Sequence, residues 1–437
     1  MLLPDLTAAR AATLRALGAD ACVTNELLVY GGSPLLDAPL PALPLPAEPC
    51  AAAWAGYAAE AAANAAEAAS ATGAVACLRR HLVQLRFPVV EGASSAPAYL
   101  AATRRGEWAA APASEAWPPF ADPAGVRLFV HATAAGPLAV VAARARPDFE
   151  LLVRALTRRN EPAPVPAATG ASMVAGLNNW SRVGEERRRW AAVRGADSDT
   201  AWRQAFAELV PHRERYQDRL VLLSDGPYSA VPAPEVGLPH GVWRATSFTI
   251  RLEHECAHYA TKRLFGTMRN ALHDELLADH AGIVAAHGAY RPDWARRFFG
   301  LEPATDGTVA VRPDGRLHAY RGTPALSDHA FAVLALIAWR AVGAIDGFER
   351  GRARTANAQR DALEMLVTLA RTPAELLATD DAVTRLHVAH EAARAELRAA
   401  EARAGQPLHS PTWGAAPRHP AAAAAVTPHP RHPGVQP

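Results

Sequence analysis

The chain has 437 residues, 50% hydrophobic and 20% charged, with a formal net charge of +2. That supplies a sizeable core for about two or three domains, and the near-zero charge excludes the basic footprint of a dedicated nucleic-acid binder. Aromatics make up only 7%, and much of the apolar share is alanine, which favours closely approaching helices over an aromatic-cored sheet protein.

In chain order, the first 35 residues read as a capped helix and a short apolar segment, followed by a proline-rich connector from Pro34 to Pro49. Ala51 to Phe87 predicts one or two long helices ended by Pro88. Val126–Thr133 and Pro137–Ala143 predict a hairpin, and Pro147–Arg159 returns to helical periodicity. Gly170–Arg182 and the arginine-rich Glu185–Val193 read as helical, with Arg187, Arg188 and Arg189 a solvated face. Arg219–Leu223 reads as a strand, and Ser224–Gly241 as a long loop forming part of a cleft wall. Helices resume at Ser247. Thr308–Arg312 and Arg316–Arg321 flank Pro-Asp-Gly as a hairpin, and helices fill most of Ser327–Arg403. From Gly405 the Pro/Ala/His-rich tail reads as disordered, its His409, His419, His429 and His432 a solvated tract.

The fold class expected is therefore α+β and predominantly α, with a smaller α+β N-terminal region over residues 1–165, a helical catalytic half over 166–404 and a tail over 405–437. The longest apolar stretch, Ala330–Trp339, stops at Arg340, well short of the roughly 20 residues a membrane span needs, so it predicts a buried helix and no membrane partner. Cys22, Cys50, Cys77 and Cys256 contain no C-x-x-C pair and outline neither a disulfide framework nor a cysteine-rich zinc site. With no basic n-region ahead of an apolar core at Met1–Gly18, the expectation is a cytoplasmic protein. Lys262, the only lysine, follows no glycine run, so a phosphate-cradling Walker loop is excluded; G-x-G-x-x-G and G-x-S-x-G are absent as well.

One segment carries chemistry. His254-Glu255-Cys256-Ala257-His258 is H-E-x-x-H, in a helix of about 18 residues for which Ser247 is a suitable N-cap and Gly266 a suitable C-terminal stop. Positions i and i+4 share a face, so both imidazoles can reach one ion, while Glu255 is turned by about 100°, within reach of an activated water without being a ligand. Cys256 points to the opposite face as an inert thiol. A third ligand is required. The next helix, capped by Asn270, offers Glu275 and Asp279 at i and i+4: Glu275 faces the histidines, and Asp279 can accept the free N–H of one of them. Asp279 itself, His273 and His280 are the rival third ligands.

These residues resemble the gluzincin branch of zincin metallopeptidases, whose signature is H-E-x-x-H followed on a second helix by E-x-x-x-D. The match covers about Ser247–Gly282, and a chance joint occurrence is on the order of one in a thousand. The resemblance implies zinc held by His254, His258 and Glu275, Glu255 as general base, Asp279 behind a ligand histidine, and a peptide or protein substrate. The sequence departs from the pattern in a shorter spacer, in the charges of Arg251 and Glu253, and in lacking G-x-M-E-N; the metzincin continuation after His258 is also absent. Tyr228, His318, Tyr320 and His329 are the candidates for an oxyanion donor. An inactive zincin scaffold used for binding, and a zinc hydrolase of a non-peptide amide, are the alternatives. Asn178–Arg182 stays without a role.

Overall fold

A computed structural model describes residues 3–32, 38–67, 73–194, 198–266, 271–305 and 308–404. The Asn270 cap and the tail from Gly405 lie outside these described residues. The protein is predominantly helical with a small sheet. The N-terminal part holds α1 (Leu3–Ala16), α2 (Ala21–Gly31), α3 (Ala51–Glu67), α4 (Gly73–His81) and α5 (Pro97–Arg105), then the hairpin β1 (Val126–Thr133) and β2 (Gly136–Ala143) and α6 (Arg146–Thr157). Next come β3 (Ala171–Asn178), α7 (Trp180–Arg194), α8 (Asp199–Leu209) and β4 (Gln217–Ser224). The remainder is α9 (His240–Phe265), α10 (Ala271–His287), α11 (Pro292–Phe299), the short pair β5 (Leu301–Pro303) and β6 (Val309–Val311), α12 (Asp328–Gly351), α13 (Ala358–Ala370) and α14 (Ala382–Ala404).

Four strands form one sheet in the order β1-β2-β4-β3, with β2 and β4 parallel and the outer pairs antiparallel. The two central strands are covered on both faces, which is why they read as unbroken apolar runs such as Leu220-Val221-Leu222-Leu223, all fully buried. One face, through Val140, Val221 and Leu223, joins a core with α9, α10 and α12; the other, through Val141, Leu220 and Leu222, joins one with Trp54 of α3 and Phe149 and Leu152 of α6.

Three expectations are corrected. Gly170–Arg182 is not helical: its small apolar residues form the edge strand β3, paired with β4 across a bulge at Gly176 (φ +75), and α7 starts only at Trp180. Pairing with a distant strand overrides a local pattern that alanine leaves ambiguous. Arg316–Arg321 is not a strand either; Arg316–Tyr320 is a 3₁₀ turn, and Val309–Val311 pairs backward with Leu301–Pro303. The boundary placed at residue 165 is crossed by the sheet, since β1 and β2 precede it and β3 and β4 follow it. Helices α1 and α2 also reach across: Arg10 pairs with Glu375 at 2.8 Å, and Glu26 accepts from the Ser327 hydroxyl at 2.6 Å.

Among the described residues α12 is the one helix apolar and long enough to cross a membrane, and most of that apolar window is buried inside the protein. Ala338, Ala341, Val342, Ile345 and Phe348 are each fully covered.

Candidate metal centre

Helix α9 begins earlier than its sequence suggests, at His240 after Pro239, and runs for 26 residues. Ser247 is therefore no cap. It sits inside the helix, fully buried, where its hydroxyl accepts the backbone N–H of Tyr228 at 3.0 Å and anchors the upstream loop. Gly266 does stop the helix, in the left-handed conformation (φ +75) with its N–H on the Lys262 carbonyl. Antiparallel to α9 lies α10, so close that a Cβ on Gly282 would stand 2.5 Å from the Ile250 carbonyl oxygen. That approach carries Glu275 to the histidine face.

His254, His258 and Glu275 meet there, each offering one donor atom within 4.8 Å of the others. The two Nε2 atoms are 3.0 Å apart, and Glu275 places one oxygen 3.4 Å from His254 Nε2 and the other 3.5 Å from His258 Nε2. Two donors each about 2.0–2.1 Å from a tetrahedral ion lie about 3.3–3.4 Å from one another, so these three separations bracket what zinc requires. Glu275 Oε2 and His258 Nδ1 are buried without a hydrogen-bond partner. A buried carboxylate oxygen without a hydrogen-bond partner, beside an imidazole nitrogen, is the kind of unsatisfied group that a cation can compensate.

Electrostatics agree. Burial works against charge on His258, but the hydrogen bond and charge of Glu275 raise it to about 9. Burial likewise pushes Glu275 up, while His254, His258 and Arg316 bring it well below the usual carboxylate range. Near neutral pH the site thus sets an ionised carboxylate against a protonated imidazole.

Behind the donors sits a buried network. His254 Nδ1 is 3.0 Å from Asp279 Oδ1 and 2.8 Å from the Tyr228 hydroxyl. Tyr228 donates to Asp279 at 2.6 Å and accepts from Arg316 Nη1 at 2.9 Å, and Arg316 Nη2 also pairs with Asp279. Because the carboxylate only accepts, Nδ1 of His254 carries the proton and its Nε2 lone pair is left for a metal. Burial would raise Asp279, yet Arg316 and His254 hold it below the ordinary range.

Glu255 is half-buried and makes no hydrogen bond or ion pair among the described residues, though its charge is felt at His258 and Arg251. The two charges that depart from the gluzincin pattern have structural work. Arg251 donates to the carbonyls of Ser224, Gly226 and Pro227, which holds the loop carrying Tyr228. Glu253 pairs with His131 of β1 at 2.9 Å.

The rival ligands are engaged elsewhere: His273 Nε2 is 2.7 Å from the Leu369 carbonyl, and His280 Nε2 is 3.0 Å from Glu349. Cys256 is buried away from the donors. Of the oxyanion candidates, Tyr228 belongs to the network just described, and Tyr320 is raised by burial and lies within hydrogen-bond reach of Glu275. His318 and His329 are exposed and point elsewhere, toward the Arg312 carbonyl and Asp20. Sequence reasoning missed Arg316. A single arginine in an arginine-rich chain leaves no local signal. A cavity of about 520 Å³ between α5, the end of α6 and β3 contains none of these residues.

No curated protein and no solved structure matches the chain. One family model does, over residues 12–381, and this protein belongs to that family of unknown function, DUF7005.

Proposed function

We propose that the protein is a zinc-dependent hydrolase that cleaves peptide bonds, with His254, His258 and Glu275 as ligands and Glu255 as general base. The observation that carries this reading is the three-donor set, spaced for a tetrahedral ion and containing an orphaned carboxylate oxygen. Bound zinc supplies Lewis-acid polarisation of a carbonyl and a lowered pKa for water. The protein's part is positional. Asp279 and Tyr228 hold His254 in one tautomer and one orientation, and Arg316 balances the buried Asp279 charge. Glu255, without a hydrogen bond or ion pair among the described residues, accepts a proton from the attacking water and returns it to the leaving amine.

The test is zinc content by elemental analysis together with turnover of a diverse fluorogenic peptide library. Glu255→Gln should lose about 10²–10⁴-fold in turnover with its zinc retained, whereas His258→Ala and Glu275→Ala should each lose the site's zinc. No metal at these residues after zinc addition would sink the reading. Turnover of small amides alone would move the substrate to a non-peptide amide, and bound zinc with no turnover of either class would leave a binding module.

A further inference from the structure

A second cluster stands in the N-terminal part, to which the reading above gives no task. Cys77 and His81 are i and i+4 on α4, the spacing that places two side chains on one face. Glu60 comes from α3, the helix packed beside it. Each of the three presents one donor atom within 4.8 Å of the other two, and His81 Nε2 is 2.8 Å from Glu60 Oε2. The arrangement repeats the logic of the main site, two residues one turn apart and a carboxylate from the neighbouring helix, with a thiol in place of one imidazole.

Three features mark this as a built site and not a surface ion pair. Cys77 is fully buried, and the side chains of His81 and Glu60 are only 16% and 24% exposed. The His81 ring is held in place: it stacks on Tyr57 with centroids 3.7 Å apart, and its Nδ1 is 3.1 Å from the Ser181 hydroxyl. A ligand histidine needs such a partner on its other nitrogen, which leaves Nε2 to face the ion. Arg80 pairs with the other carboxylate oxygen, Oε1 at 2.9 Å, from a side chain that is 62% exposed, while Oε2 is the oxygen beside His81. The Cys77 Sγ lies beside this pair and donates to the Tyr57 carbonyl at 3.1 Å, a bond that a cation at Sγ would replace.

We propose that Glu60, Cys77 and His81 form a second zinc site, independent of the first and of the hydrolase reading. Thiolate, imidazole and carboxylate together select zinc among the hard and soft divalent ions, and the two anionic donors match its charge. On binding, the Cys77 proton passes to solvent. The site would tie α3 to α4 and, through Ser181, to the start of α7.

The experiment uses the full chain stripped of metal and titrated with cobalt(II). A cysteine ligand produces a near-ultraviolet sulfur-to-cobalt charge-transfer band that the two-histidine, one-glutamate site cannot. Wild type should show the band, and Cys77→Ser should lose the band together with one equivalent of the cobalt that wild type binds. The band should survive in His258→Ala and in Cys256→Ser, the second control covering the neighbouring His131, Glu253 and Cys256 group. Absence of the band in wild type overturns the proposal, as does a band that persists in Cys77→Ser or vanishes in Cys256→Ser. Should Cys77→Ser fail to fold by circular dichroism, zinc-edge X-ray absorption on wild type decides instead. Sulfur in the first shell of the bound zinc supports the site, and an all-nitrogen-and-oxygen shell overturns it.

Discussion

Asp279 is 1% exposed and makes three charged or polar contacts at once, to His254, Tyr228 and Arg316. A carboxylate this deep is tolerated only while its partners are present, because removing one leaves an uncompensated buried charge. Arg316→Met should therefore destabilise the fold by about 3–5 kcal/mol, read from urea midpoints, with partial rescue by Arg316→Lys. Tyr228→Phe keeps the ring packing and removes one neutral hydroxyl: apo stability should fall by only about 1–3 kcal/mol, less than for Arg316→Met, while zinc affinity falls by about 10–100-fold. Equal loss of apo stability in both variants would show that Tyr228 serves only the fold.

At the scale of elements, the α9–α10 pair decides whether the donors meet. Nothing in a helical pattern says that one helix must touch another's backbone, yet Gly282 has no room for a Cβ against Ile250. Gly282→Ala should push α10 outward and cost about 1–3 kcal/mol by overpacking. Glu275 sits two turns earlier on the same helix, so zinc affinity should fall together with stability, whereas alanine at the open position Gly241 should change neither. The same scale explains the corrected elements. β3 and the Arg316–Tyr320 turn are short segments whose conformation follows from their partners, and Val309–Val311 pairs upstream with Leu301–Pro303 while the residues after Pro-Asp-Gly turn instead into 3₁₀ structure.

Across the whole molecule, buried ion pairs join segments far apart in the chain. Glu349 on α12 receives His280 of α10 at 3.0 Å and Arg352 and Arg354 from the following segment. Burial would raise its pKa, but the His280 hydrogen bond and the guanidinium groups of Arg354 and Arg352 hold it below the ordinary glutamate range. A folded-state pKa below the unfolded value of about 4.3 contributes stability that is present above that pH and lost as pH falls through it. Wild type should accordingly lose stability on acidification below about pH 4.3. Glu349→Gln should be less stable at pH 7 and show a flatter decline in acid, measured by urea denaturation between pH 3 and 7. A parallel decline in both proteins would assign the acid sensitivity to other carboxylates.

Much of the candidate site is local and was legible without a structure. His254 and His258 share a helix face because 3.6 residues make a turn, Gly266 ends that helix because it adopts a positive φ at no steric cost, and Glu275 and Asp279 repeat the same spacing one helix later. The first hairpin followed equally from two β-rich segments joined by a tight Ala-Ala-Gly turn. Each of these depends on residues that are neighbours in the chain. The rest depends on contacts between residues that are not: Arg316 reaches Tyr228 across 88 positions and Asp279 across 37, and β2 pairs in parallel with β4 only after β3, α7 and α8 have intervened. The Glu60, Cys77 and His81 cluster likewise required α3 and α4 to pack. Periodicity and capping thus determined which side chains one helix offers, while tertiary packing decided which helices face each other and which distant charges make the buried donors tolerable.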